Sequence, residues 1–222
     1  MTLQEAMCER HTVRKYKNEP LAKDVIHQLH ERIEAQNKKF GLNMQLVTNN
    51  KNSLPGFIAL TMSKGVKNYI ILAGPDTPDI DEKLGYSSAD CMLYAQTLGL
   101  NTWWIGGMFS RKGVRKNSNA GDDAKIIGIV AVGYGENQGV PHKSKAASDV
   151  SSYVGTAPVW FQAGVSAALL APTAMNKQAF TIQGKGDQVS MTCNNGSFSG
   201  ADLGICKYHF ELGAGTDHFS WI

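Results

Sequence analysis

The chain has 222 residues, 42% of them hydrophobic and 18% charged, and its net charge is +3. That length fits one domain or two small halves sharing a core, and the low charged fraction excludes a disordered chain. The positive charge is too mild and too dispersed for a dedicated nucleic-acid binder, so no nucleic-acid partner is expected.

Residues 2–7 start a short helix, with Thr2 as N-cap and Glu5 three positions on. An extended basic stretch, ERHTVRKYKNEP, follows. Residues 22–38 form an amphipathic helix with Val25, Leu29 and Ile33 on one face, ended by Gly41. Residues 42–48 read as a strand, 49–66 as a loop around Pro55 and Gly56, and 68–74 (NYIILAG) as a buried strand. A second long helix spans 81–98, and LGLNTWWIGGMF supplies a turn and a short strand. Residues 110–124 read as loop, and 125–135 (KIIGIVAVGYG) as the most apolar strand.

The small and polar run GENQGVPHKSKAASDVSSY then divides the chain near residue 150, into 1–150 and 151–222. The second part reads as a helix over 158–170, the loop APTAMNKQAF, strands TIQG and QVSMTCN, and a helix GADLGICKYHFELGAG closed by Gly213. The resulting class is α+β rather than a doubly wound parallel sheet. A faint repeat accompanies the division: Leu84–Gly85 and Leu98–Gly99 echo Leu203–Gly204 and Leu212–Gly213.

Cys8, Cys91, Cys193 and Cys206 are scattered, without a C-x-x-C pair, and read as free thiols of a reducing compartment. The start of the chain has no apolar signal core and the apolar runs are strand-length, so a cytoplasmic protein without a membrane partner is expected. The six histidines lack metal-ligand spacing, no metal site is expected, and His27 and His30 read as surface residues. No Ser-His-Asp or Cys-His arrangement and no carboxylate pair stands out. Without a protein-borne nucleophile or base, cofactor-borne chemistry is the better enzyme reading.

Several segments have a ligand-binding reading beside an ordinary one. Arg10, His11, Thr12 and Arg14 concentrate cationic donors and a hydroxyl suited to a phosphate, against a solvated basic face. Lys143 and Lys145, beside His142, form a second such cluster. Ile105, Gly106 and Gly107 follow two tryptophans and suit the edge of a planar ring, against a core aromatic pair before a turn. Pro172, Thr173, Asn176 and Gln178 offer small and amide groups that read a polar ring edge, against a polar loop. Gly133 to Gly139 is no dinucleotide fingerprint, because no helix opens at its last glycine.

Together these segments resemble the nitroreductase (NADH oxidase/flavin reductase-like) superfamily. ERHTVRKY is similar to its R-[RH]-[ST]-x-R-x-[FY] signature, LGLNTWWIGG to G-L-G-x-x-W-I-G, and Lys143-Ser144-Lys145 to its K-S-[RK] loop. APTAMNKQAF is similar to A-P-S-x-x-N-x-Q-P-W, but it lies behind the linker, with Ala179 and Phe180 in place of Pro and Trp. That order resembles the family members that carry two related halves in one chain.

The resemblance implies a mainly antiparallel sheet flanked by helices and an FMN site. It assigns Arg10, Thr12 and Arg14, with His11 nearby and Lys143 and Lys145 added, to the FMN phosphate. Ile105, Gly106 and Gly107 fall at the isoalloxazine edge, and Pro172, Thr173, Asn176 and Gln178 at the ring edge or ribityl chain. It implies a ping-pong NAD(P)H oxidoreductase, with hydride passing through flavin N5 to a small organic acceptor and no catalytic side chain. NADH or NADPH is the expected donor, and the chain is expected as a self-contained pseudo-dimer or a homodimer. A flavin-storage protein and specialised chemistry (reductive dehalogenation or flavin fragmentation) are the alternatives.

Overall fold

The computed structural model describes residues 1–194 and 196–222. Helix α1 (Leu3–Glu9) opens with the expected capping box: the Glu5 N–H donates to Thr2 Oγ1 and the Thr2 N–H donates to Glu5 Oε2. Helix α2 (Lys23–Phe40) buries Val25, Leu29, Ile33 and Gln36, and ends at Gly41 in the left-handed conformation (φ 67°).

Strands β1 (Gln45–Val47), β2 (Tyr69–Gly74), β3 (Asn101–Ile105) and β4 (Lys125–Gly133) form an antiparallel sheet in the order β1-β2-β4-β3. All six residues of β2 are buried, as its unbroken apolar run requires. One face packs on α2 and on helix α4 (Ile80–Thr97) through Leu29, Ile33, Leu72, Leu84 and Met92. The other face packs Tyr16, Leu54, Trp103, Phe109 and Val114.

A second four-stranded sheet holds β5 (Ser151–Tyr153), β6 (Phe180–Lys185), β7 (Gln188–Cys193) and β8 (Ser220–Trp221) in that order. β6 and β7 are antiparallel, and the two edge strands join in parallel. Helices α7 (Val159–Ala168) and α8 (Ser199–Ala214) cover it, with Phe161, Val165, Ile182, Val189 and Phe210 in the shared core. The α+β architecture with antiparallel sheet and flanking helices is therefore present, its strands distributed over two sheets.

The sheets meet through α4 and α8. A Cβ on Gly85 would lie 2.2 Å from the carbonyl oxygen of Ala201, and one on Gly204 would lie 2.0 Å from that of Glu82. Only glycine permits these backbones to approach so closely. Because α4 is covered on all sides, it buries polar Ser87, Ser88, Asp90 and Gln96 as well as apolar residues. Asp90 is satisfied there by Arg32, whose Nε donates to Oδ2 at 2.7 Å and Nη2 to Oδ1 at 2.5 Å, and by the Tyr208 hydroxyl at 2.7 Å.

Four local expectations are corrected. The stretch 49–66 contains helix α3 (Gly56–Thr61), and 110–124 contains helix α5 (Arg111–Lys116), capped by Ser110. The linker holds helix α6 (Ala147–Val150) and strand β5. All are too short to show a period. The last helix is closed by Gly215 (φ 79°), not Gly213, whose missing side chain lets α8 approach Ala163 and Ala167.

Candidate functional site

The basic segment leaves α1 at its C-cap, where the Arg10 N–H donates to Ala6 O at 2.8 Å. It then runs extended along β3. The Val13 N–H donates to Thr102 O, and Thr12 is bridged to Thr102. Further on, the Lys64 N–H donates to Arg14 O, and the Tyr16 N–H donates to Lys64 O. Val13 and Tyr16 enter the core and fix this path.

Arg10 is the unusual member. It is only 4% exposed, and its Nε has no hydrogen-bond partner. No described carboxylate pairs with it. Burial lowers its guanidinium to about 10, so it remains a buried cation at neutral pH. Burial first, then the Arg10 charge, also hold the His11 imidazole below its ordinary value. Arg14 is exposed, with its guanidinium 5.4 Å from the Trp103 ring centroid.

Two further segments close on this one. Gly139, at φ 74°, lies against His11 and Thr12: a Cβ there would be 2.7 Å from His11 Cβ and 2.9 Å from Thr12 O. His142 follows, its ring Nε2 2.9 Å from Leu169 O, and Ser144 Oγ donates to the same oxygen. The 143–145 stretch is bonded to the 173–178 loop. Gln178 Nε2 and Asn176 Nδ2 both donate to Lys143 O, while the Lys145 N–H and Nζ donate to Gln178 Oε1 and O. Lys143 and Lys145 are exposed, Gln178 is 1% exposed, and Pro172 is half-buried at the start of this loop.

The loop holds three non-glycine residues at positive φ: Met175, Asn176 and Gln178. Such backbone persists when its surroundings over-determine it. Here the Ala174 N–H donates to the buried Asp202 carboxylate and the Gln178 N–H to Thr173 Oγ1. The sequence-predicted residues at 10–12, 143–145 and 173–178 are thus linked through the 139–142 stretch and the loop hydrogen bonds.

The Ile105–Gly107 corner is approached by a residue that sequence reasoning missed. Phe198 lies against Gly106, where a Cβ would be 2.3 Å from its Cε1. Its ring meets Trp104 edge-on at 6.0 Å, and Trp104 Nε1 donates to Ser88 Oγ. Trp103 is a core residue and Trp104 is half-buried, so the tryptophan pair divides between the two readings. Phe198 sits in a Gly/Ser/Asn-rich loop that carries no motif.

His209 was missed as well. It is fully buried on α8, its Nδ1–H donates to Ile205 O, and its Nε2 has no partner. Burial lowers its imidazole to about 3, with the Arg10 charge acting in the same direction. Four residues' separation from Ile205 on an apolar helix gives no sequence signal of a buried, neutral histidine.

A cleft of about 540 Å³ is lined by Tyr16, Leu54, Ala59, Lys64, Glu136 and neighbouring residues, and by none of the predicted site residues. Among the described residues no His/Cys/Asp/Glu group has an arrangement that could hold a metal, and no helix is long and apolar enough to cross a membrane.

Residues 2–214 match the family model described as "Putative TM nitroreductase". No curated protein matches the chain. Among solved structures, a putative nitroreductase from Thermotoga maritima MSB8 is 18% identical, with TM-score 0.64, covering 96% of this chain and 83% of that one. A putative NADH dehydrogenase/NAD(P)H nitroreductase from Parabacteroides distasonis (21% identity, TM-score 0.53) covers 67% of this chain and 95% of its own. A putative nitroreductase in complex with FMN from Desulfovibrio desulfuricans (14% identity, TM-score 0.54) covers 68% and 95%.

Proposed function

We propose, given that this chain belongs to the putative TM nitroreductase family, that it is an FMN-dependent NAD(P)H oxidoreductase acting on a small organic acceptor. The observation that carries the reading is Arg10, a buried guanidinium with an unpartnered Nε and no described carboxylate beside it. A buried cation without a counter-charge is costly, and an anionic group placed there removes the cost. The FMN phosphate fits that requirement, and the FMN named with the Desulfovibrio structure supports the choice.

Arg10 and Thr12 would hold the phosphate, with Arg14 and Lys143 adding charge at longer range. Lys145, bonded to Gln178, would brace the 173–178 loop while contributing to the same field. Ile105, Gly106 and Gly107 would place backbone against the ring edge, and Thr173, Asn176 and Gln178 would fix the loop beside it. Bound there, FMN supplies hydride exchange between NAD(P)H and the acceptor. The protein's part is to orient it and to surround it with cationic donors. Residues 1–150 and 151–222 would act as two halves that clasp one flavin, so that one chain provides what a dimer otherwise would. Phe198, lying on Gly106 and Trp104, favours a second reading in which the chain holds flavin with slow turnover.

The visible spectrum of the purified protein tests both. A yellow protein that bleaches within seconds of anaerobic NADH or NADPH supports the oxidoreductase. One that is yellow and unreactive supports storage. A colourless protein that FMN does not reconstitute sinks both.

A further inference from the structure

We infer that the cleft beside α3 is a second ligand site, for a small organic monoanion with a flat apolar body. At about 540 Å³ it lies within the usual size of small-molecule sites. Leu54 and Tyr16, both buried, give it an apolar floor, with Ala59 of α3 and Val66 beside them. The Tyr16 hydroxyl is turned inward, donating to Ala131 O, so the ring rather than the hydroxyl meets the cleft.

Three lysines line the walls. Lys64 is neutralised by Glu136, with Nζ 2.7 Å from Oε1. Lys67 Nζ donates to Asn18 Oδ1, an uncharged partner. Neither Lys51 nor Lys67 has a carboxylate partner among the described residues. Two uncompensated ammonium groups above an apolar floor select for charge and shape together. A cation is repelled, and a neutral ring leaves the ammonium groups unanswered. A monoanion on a flat hydrocarbon body satisfies both.

Helix α3 strengthens the argument. Its sequence GFIALT is almost wholly apolar, yet none of its residues is buried, and Phe57 and Leu60 are 73% and 85% exposed. Ile58 packs on the core while the rest of the helix is exposed, so this short helix is weakly held. A ligand beneath Ala59 would give it a surface to pack on.

The cleft shares no side chain with the Arg10 site. The two are joined along the backbone, where the Lys64 N–H donates to Arg14 O, and through Tyr16, whose inward hydroxyl lies within electrostatic reach of Arg10 and Arg14. The inference therefore does not rest on flavin binding, and its test reads ligand position and affinity directly.

Titration calorimetry of the protein as purified with 4-bromobenzoate and with 4-bromobenzamide compares equal shapes of different charge. The carboxylate is expected to bind about ten-fold more tightly, the worth of one charge-assisted contact. Crystals soaked in 4-bromobenzoate should show the anomalous bromine peak between Tyr16 and Val66. The Lys51→Gln/Lys67→Gln variant should lose the preference with its flavin content unchanged, and Ala59→Phe should weaken both probes. Equal affinities, a bromine peak elsewhere, or a retained preference in the lysine variant would overturn the proposal. So would a lysine variant that loses flavin together with the carboxylate, since the cleft would then be part of the flavin site.

Discussion

Arg10 and His209 are both buried, and both carry a nitrogen without a partner, but they differ in charge at neutral pH. Arg10, lowered only to about 10, stays charged, while His209, lowered to about 3, is neutral. The consequences are opposite. Arg10→Met removes a buried cation, so the flavin-free protein should be no less stable, while FMN affinity should fall by about 1.5–3 kcal/mol for one charge-assisted contact. Thermal melts with and without FMN check both arms, and a variant that keeps full FMN affinity contradicts the phosphate assignment. For His209 the folded value lies below the unfolded one, so the unfolded chain binds the proton first. Stability is whole above about pH 6.5 and is lost as pH falls from there toward 3. Urea titrations should show the parent losing about 2 kcal/mol more than His209→Gln between pH 7.5 and 5. Equal losses would show that the imidazole does not set the acid sensitivity. Neither residue's role was legible in the sequence. A basic run looks the same whether or not its first arginine folds inward, and burial depends on how α8 closes over α1.

At the scale of elements, the crossing of α4 and α8 decides how the two sheets meet. Its glycines are reciprocal: Gly85 faces Ala201 and Gly204 faces Glu82, so the two contacts lie one helical turn apart on both helices. Of the Leu-Gly echo in the sequence, Leu84–Gly85 and Leu203–Gly204 fall on these contacts, whereas Gly99 has open space around it and Gly213 faces Ala163 and Ala167. The sequence alone gives no sign of which echoed residues touch. Gly204→Ala puts a Cβ 2.0 Å from a carbonyl oxygen that cannot yield without moving the helix. It should cost about 3 kcal/mol or more, at the upper end of overpacking. Gly56→Ala, with open space around the new methyl, should be close to neutral. Chemical denaturation of the pair checks the contrast, and equal stabilities would mean that the crossing is looser than its geometry. The apolar strands and long helices were legible because burial writes a period or an unbroken apolar run. Helices α3 and α5 were not, being six residues each, with no apolar stripe long enough to repeat.

Across the whole molecule, the loops from the two sides of residue 150 are bonded to one another. Lys143 O accepts from Asn176 and Gln178, and Lys145 donates to Gln178. The motifs that form this junction were readable, because amide-rich and basic loops keep their residue types. The junction itself was not, because its partners are separated by the strand order and by the burial of Gln178. If the two halves clasp one flavin, every group that holds it lies on a single chain, and retention cannot depend on subunit concentration. Native mass spectrometry should then find one FMN on a 24.1 kDa chain, and dilution from micromolar to nanomolar should leave the bound fraction on the curve of a simple one-site equilibrium. Should the protein instead be a dimer that sheds FMN as its subunits separate, the flavin would sit across a subunit boundary. In that case the 172–178 loop would serve the partner's site rather than its own.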